Sequence, residues 1–204
     1  MNDRQTPRDA WPSPELDTLT LGMLPLNDAA PLVVARERGF FAEQGLDVTL
    51  SVESSWAGIR DAMQLALLDG AQMLPLMPLA STLGLDGRRT PILSALTLSL
   101  GGNAITVSND LYDDMLAADP DAMAASTTSA RALATVVRRR RERGAPPLRF
   151  ASVYPFSSHR YLLRYWLAEG GVDPDRDLEL RVVPPPLVAQ QLEAGWLDGY
   201  CVGE

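Results

Sequence analysis

The feature that most constrains the fold is the alternation of short apolar runs with longer amphipathic runs after about residue 18. Each short run has the length of a strand, and each longer run repeats its apolar residues at helical spacing. Strands that alternate with helices are typical of an α/β fold with a largely parallel sheet. The runs predict strands at residues 19–24, 46–50, 73–76, 92–98, 104–107, 149–153, 178–183 and 197–202.

Helices are predicted between these strands at residues 27–38, 54–67, 129–143, 157–169 and 187–194. Several begin at a residue that can cap a helix, such as Asn27 or Ser157. The helix that follows Ser157 is expected to bury Tyr161, Leu162, Tyr165 and Trp166. Residues 138–143 hold five arginines, which indicate either a solvated helix end or a basic contact patch for an acidic partner.

An internal echo predicts two lobes. Gln64-Leu65 precedes Asp69-Gly70 and an apolar run, and Gln191-Leu192 precedes Asp198-Gly199 and another apolar run. We therefore expect a loose leader at residues 1–17, a first α/β lobe at 18–108 and a second at 109–204. The sequence stops directly after an apolar strand, so the second lobe is expected to be incomplete.

Charge and composition exclude several function classes. The formal net charge is −8, and all 18 basic residues are arginines, so direct binding to nucleic acid is not expected. Cys201 is the only cysteine, which rules out an internal disulfide. The first 17 residues lack the apolar core of a secretory signal, and no transmembrane run follows. These patterns predict a cytoplasmic protein; an exported, membrane-associated periplasmic protein whose signal was removed is the alternative.

Three loops combine suitable placement with residues that can donate hydrogen bonds. Residues 53–58 include Trp56, whose indole can donate, and Gly58, whose amide lies at a helix N-terminus. Residues 101–103 include Gly102, which allows close backbone approach, and the amide of Asn103. Residues 154–159 end in the single histidine, His159. Ligands sit at the carboxyl ends of strands in open α/β sheets, so these loops form the predicted small-ligand site.

Catalytic and metal-binding patterns are not apparent. The sequence has no glycine-rich phosphate loop, no cluster of metal ligands and no Ser-His-Asp spacing. Cys201 and His159 could form a nucleophile–base pair, although a cysteine inside an apolar strand is usually part of the core. A binding protein without cofactor or metal is therefore favoured over an enzyme.

Several segments resemble transporter substrate-binding proteins of the nitrate, sulfonate and taurine type. Residues 30–32 and 37–48 match the opening of that family. Narrower signals match its nitrate- and bicarbonate-binding branch; they lie at residues 55–61, 68–74, 77–80, 102–109, 158–168 and 198–204. The absence of a signal and of a Leu-x-x-Cys lipid-attachment box makes the chain most similar to the signal-less cytoplasmic nitrate/nitrite sensors.

The resemblance implies a two-lobed, type II periplasmic-binding-protein-like fold with an oxyanion in the cleft between the lobes. By this resemblance, Trp56 and Gly58 supply donors from the first lobe, and Asn103 stands where the family has Gln or Asn. His159 closes on the ligand from the second lobe. A further basic ligand residue of the nitrate binders falls beyond residue 204.

The same resemblance implies different partners for the two kinds of protein. A sensor would bind nitrate or nitrite and release an RNA-binding antiterminator. A periplasmic subunit would deliver nitrate or bicarbonate to the permease of an ABC transporter.

Overall fold

The computed structural model describes residues 14–125 and 129–203. The expected leader lies outside this part of the chain except for residues 14–17. The described residues form two sheets. No helix within these ranges is long and apolar enough to cross a membrane.

The first lobe is a three-stranded parallel sheet of order β2-β1-β3, flanked by four helices. Its strands are β1 (Thr18–Met23), β2 (Asp47–Val52) and β3 (Gly70–Ala71). Its helices are α1 (Ala30–Glu37), α2 (Phe40–Glu43), α3 (Trp56–Gln64) and α4 (Met77–Leu83). A turn of 3₁₀ helix at Asn27–Ala29 leads into α1.

The second lobe is a four-stranded sheet of order β4-β7-β5-β6, in which only β4 is antiparallel to its neighbour. Its strands are β4 (Asn103–Val107), β5 (Leu148–Ser152), β6 (Leu178–Val182) and β7 (Gly199–Gly203). Its helices are α5 (Asn109–Ala118), α6 (Pro120–Ala124), α7 (Arg131–Glu142), α8 (Ser158–Glu169) and α9 (Pro185–Glu193).

The strand predictions were wrong in two places, and β4 lies in a different sheet from the one expected. The third strand is Gly70–Ala71 rather than residues 73–76, and residues 92–98 form no strand. Leu93 and Leu96 in the latter segment are 96% and 68% exposed. A run of strand-forming residues becomes a strand only when a neighbour pairs with it, and none of the described strands does. β4, placed in the first lobe from the sequence, pairs with β7 of the second.

The predicted buried face of α8 was wrong for three of its four residues. Tyr161, Leu162 and Tyr165 are about half exposed or more. Trp166 is partly buried against the core of the second lobe, and the buried residues of the helix are His159, Leu163 and Leu167. The buried residues repeat every four positions and form one stripe along the helix. Apolar residues occupy both sides of α8, so their spacing alone could not identify the side that faces the sheet.

The internal echo corresponds to one structural unit in each lobe. The Asp69 carboxylate accepts a hydrogen bond from the Thr20 backbone N–H at 2.7 Å, and the Asp69 N–H donates to the Thr20 carbonyl. In the second lobe, the Asp198 carboxylate accepts from the Arg149 N–H at 2.7 Å, and the Asp198 N–H donates to the Arg149 carbonyl. In each lobe, therefore, the aspartate that precedes one strand is hydrogen-bonded to the backbone of the next strand in the sheet. Asp69 precedes β3 and bonds to β1, and Asp198 precedes β7 and bonds to β5.

Two main apolar clusters form the core. The larger one lies wholly in the second lobe, between its sheet and helices α5–α8, and includes Leu133 and Phe150. The other is centred on the first lobe, with Leu24, Trp56 and Met77, and it also takes in Val153 and Tyr154 from the second lobe. The lobes are thus joined by apolar packing at the end of β5.

Candidate functional site

The sheet topology brings the predicted site loops to one edge of each lobe. Residues that follow the parallel strands β1, β2 and β3 share an edge of the first sheet, and those that follow β5 and β7 share an edge of the second. Because β4 is antiparallel to β7, its first residue, Asn103, pairs with Gly203 at the end of β7. The loop before β4, which contains Gly102, therefore lies at the same edge of the second sheet as the segments that follow β5 and β7.

The first-lobe half of the site is the N-terminus of α3. Trp56 is the first residue of this helix and is 2% exposed. Its Nε1 is buried and has no hydrogen-bond partner in the described part of the chain. The Gly58 N–H donates to the Oγ of Ser55, the N-cap, at 3.1 Å. The indole is therefore a buried donor without an acceptor, whereas the Gly58 amide is already used by the cap.

The second-lobe half gathers residues from three segments. The Asn103 side-chain amide donates to Ser158 Oγ at 3.2 Å. His159 is the second residue of α8, and a Cβ added to Gly203 would lie 3.8 Å from its Nε2 and 3.9 Å from the Gly102 carbonyl oxygen. The structure thus brings the predicted residues Gly102, Asn103 and His159 together around the end of β7.

His159 is buried and shielded from solvent. Its side chain is buried, and its Nδ1 has no hydrogen-bond partner among the described residues. Burial lowers the pKa of His159 below its ordinary value, and the negative charge of Asp28 opposes that shift. Asp28 belongs to the first lobe and lies in the turn between β1 and α1.

Two more buried polar side chains lie at these edges and were not singled out from the sequence. Gln72 directly follows β3, and Ser152 is the last residue of β5. Gln72 Nε2 and Ser152 Oγ are buried without a partner in the described ranges. The sequence signal that could have identified Gln72 and Ser152 is a polar residue at the end of a strand. Their burial and their lack of partners, however, are visible only in the three-dimensional structure.

Tyr154 stabilises the contact between the lobes beside the site. Its ring is 2% exposed, and its hydroxyl donates to the Asp86 carboxylate at 2.9 Å. Ser81 Oγ donates to the same carboxylate, and Arg60 Nη1 lies 3.5 Å from the Tyr154 hydroxyl. Burial and the Asp86 carboxylate raise the pKa of Tyr154 to about 12. The phenol therefore remains a neutral donor across the physiological range.

The nucleophile–base hypothesis is not supported by the position of Cys201. Its side chain is fully buried in the core cluster of the second lobe, and burial raises its pKa to about 11. A thiol of this kind is a poor nucleophile at neutral pH. Within residues 14–125 and 129–203, no group of three or more acidic, histidine or cysteine side chains could hold a metal ion.

The arginine-rich end of α7 borders a separate surface groove of about 210 Å³, lined in part by Arg140, Arg141, Arg176 and Asp177. The Asp177 carboxylate is paired with Arg141 and Arg176. The groove also borders Leu148, the first residue of β5, and so lies at the edge opposite the site loops.

Residues 12–204 match the sequence profile of the NMT1-like family. The chain belongs to that family. Among solved structures, this family member resembles the periplasmic nitrate-binding protein NrtA from Synechocystis PCC 6803, with 32% identity and a TM-score of 0.81. The match covers 95% of this chain and 48% of that protein. The predicted two-lobed binding-protein-like fold is therefore confirmed.

Two curated relatives from Synechocystis are ATP-binding proteins. The nitrate import ATP-binding protein NrtC is 42% identical over 91% of this chain, and the match covers 26% of NrtC. The bicarbonate transport ATP-binding protein CmpC is 43% identical over 91% of this chain, again across 26% of the relative. This NMT1-like chain thus spans about a quarter of these proteins and about half of the solved binding protein.

Proposed function

We propose that this chain binds a small oxyanion, nitrate or nitrite, in the cleft between its two lobes. The observation that carries the proposal is the pair of buried, unpartnered polar atoms Trp56 Nε1 and His159 Nδ1, one from each lobe, at the strand edges where α/β proteins bind ligands. A buried indole N–H without an acceptor is costly, and an oxyanion would satisfy it. The likeness to a nitrate-binding protein supports the same ligand class.

The proposed role is that of a cytoplasmic sensor. Ligand that contacts both lobes would favour a closed arrangement and change the surface offered to a partner. The partner proposed from the sequence is an RNA-binding antiterminator. The alternative is a periplasmic subunit that delivers nitrate or bicarbonate to a permease, and the resemblance to a periplasmic protein supports it.

The ATP-binding relatives favour a further candidate partner, the ATP-binding component of a transporter. Identity to these proteins is 42–43%, compared with 32% for the solved binding protein. The matched segment belongs to proteins that bind ATP, and ATP is a cytoplasmic ligand. The similarity therefore supports a cytoplasmic location for this chain. In this version, the domain senses the oxyanion and controls the ATP-binding component of a transporter.

Isothermal titration calorimetry with nitrate, nitrite and bicarbonate tests the ligand. We expect saturable binding of nitrate or nitrite by the protein. Trp56→Ala and His159→Ala should each weaken it by about 1–3 kcal/mol, as for a lost hydrogen bond to a charged group. Unchanged affinity in both variants would exclude this site, and absence of binding to all three ions would exclude the oxyanion function.

Compartment and partner need separate measurements. Fractionation of the native host should recover the protein from the cytosol if it is a sensor and from the periplasm if it is a transport subunit. Nitrate-dependent co-purification with an ATP-binding component would favour that partner over an antiterminator.

A further inference from the structure

Gln72 is a buried polar residue of the first lobe, outside the residues assigned to the site so far. Its side chain is 2% exposed and follows β3 at the edge that carries the site loops. Its backbone N–H donates to the Gly22 carbonyl at 2.9 Å, which fixes the main chain at this point. Yet its side-chain Nε2 is buried and has no acceptor among the described residues.

The orientation of the Gln72 amide is determined by its neighbour. The Leu24 backbone N–H donates to Gln72 Oε1 at 3.0 Å. If the amide were turned around, two N–H donors would face each other, so the oxygen must point towards Leu24. The NH₂ end is consequently left with two buried hydrogens that require an acceptor.

Gln72 and Trp56 belong to one part of the first lobe. The sheet order β2-β1-β3 places their loops on either side of the end of β1. Leu24, which holds the Gln72 oxygen, packs in the same apolar cluster as Trp56 and Leu74. Two buried side chains thus present donors without partners at the same edge.

We propose that Gln72 is a further oxyanion-binding residue, whose side-chain amide donates to the ligand held by Trp56. This inference rests on the function proposed above and adds a donor to it. The amide carries no charge, so it recognises a ligand through hydrogen bonds to lone pairs on the ligand's oxygen atoms. A small, planar monoanion with several acceptor oxygens fits this arrangement.

Gln72→Glu is the most specific test. Glutamate has the same length and keeps an oxygen for the Leu24 N–H, but it replaces the NH₂ donor with a negatively charged acceptor. We expect nitrate affinity, measured by calorimetry, to fall at least about tenfold, as for a lost hydrogen bond to a charged group. Gln190→Glu is the matched control, because it makes the same charge change at an exposed position on α9 and should leave affinity unchanged.

The outcomes separate this inference from the proposed function. Equal nitrate affinity in the wild type and in Gln72→Glu would overturn the role of Gln72 alone. Absence of nitrate and nitrite binding by the wild type would overturn both proposals. A fall of the same size in Gln190→Glu would show a general charge effect and would likewise overturn the role of Gln72.

A measurement on the wild type covers the case in which Gln72→Glu does not fold. The side-chain NH₂ resonances of Gln72 should shift on addition of nitrate, and their hydrogens should exchange more slowly with solvent. Those of Gln190 should not change. Gln72 resonances that are unaffected at saturating nitrate would overturn the proposal.

Discussion

The two lobes contain the same local unit but obtain their cores in different ways. In each lobe an aspartate before a strand, Asp69 or Asp198, accepts a backbone N–H from the neighbouring central strand at 2.7 Å. The second lobe then buries its own apolar cluster, whereas the cluster of the first lobe includes Tyr154 from the second. Similar sequence units therefore need not have independent stability.

This difference links stability to the candidate site. Tyr154 lies on the loop between β5 and α8, and His159 lies in the first turn of the helix that this loop enters. The Tyr154 ring contributes to the cluster that also holds Trp56. The contact that completes the core of the first lobe is thus next to the residues proposed to bind the oxyanion.

Tyr154→Ala tests the dependence of the first lobe on the second and should have the largest effect. Loss of a buried aromatic ring is expected to lower the free energy of unfolding by about 3–5 kcal/mol. Urea denaturation measures the loss, and hydrogen exchange should show it mainly in β1 and β2. Tyr161→Ala, at a position 49% exposed on α8, is the control. Equal losses in the two variants would contradict this assignment.

Asp69→Ala and Asp198→Ala test whether the repeated unit is energetically equivalent in the two lobes. Each substitution removes a charged acceptor from a backbone N–H, so each should cost about 1.5–3 kcal/mol of stability. Asp198→Ala should cost slightly more, because Asp198 also pairs with the Arg149 guanidinium at 3.3 Å. Thermal denaturation checks both against the exposed Asp114→Ala. A loss confined to one lobe would show that the units are alike in sequence only.

Ser55→Ala and Ser157→Ala compare the helix caps of the two site halves. Ser55 accepts from the Gly58 N–H, and Ser157 accepts from the Arg160 N–H. Each variant should lose about 1 kcal/mol, as is typical of N-cap removal. Ser157→Ala should lose more, since its buried hydroxyl also donates to the Tyr154 carbonyl at 2.7 Å. Denaturant titration measures both, and a larger loss in Ser55→Ala would reverse the expected order.

The pH dependence of stability tests the buried state of His159 and should give the smallest effect. Burial lowers the pKa of His159 in the folded protein, so the unfolded chain binds a proton at higher pH. The stabilising contribution is fully present above the ordinary pKa of about 6.5 and is lost as pH falls towards the folded pKa. Unfolding free energies from pH 7.5 to 5 should decline less in His159→Gln. Identical pH profiles would contradict a desolvated His159.

Local patterns were sufficient for the α/β class, the two-lobed fold and the position of most elements. The spacing of apolar residues predicted β1, β2 and β5–β7 within about two residues, and the Asp-Gly echo indicated the repeated unit. These features depend on residues close together in sequence. Family motifs also selected Trp56, Gly58, Gly102, Asn103 and His159, whose ligand contacts remain predictions.

What only the tertiary structure decided was which segments pair and which polar atoms are left without partners. The sheet that takes β4, and the lack of a strand at residues 92–98, depend on neighbours far away in the chain. The partner of the Gly58 amide and the isolation of the Gln72 amide likewise appear only once the chain is packed. A sequence states which residues can donate hydrogen bonds, but burial among distant segments determines which donors still need a ligand.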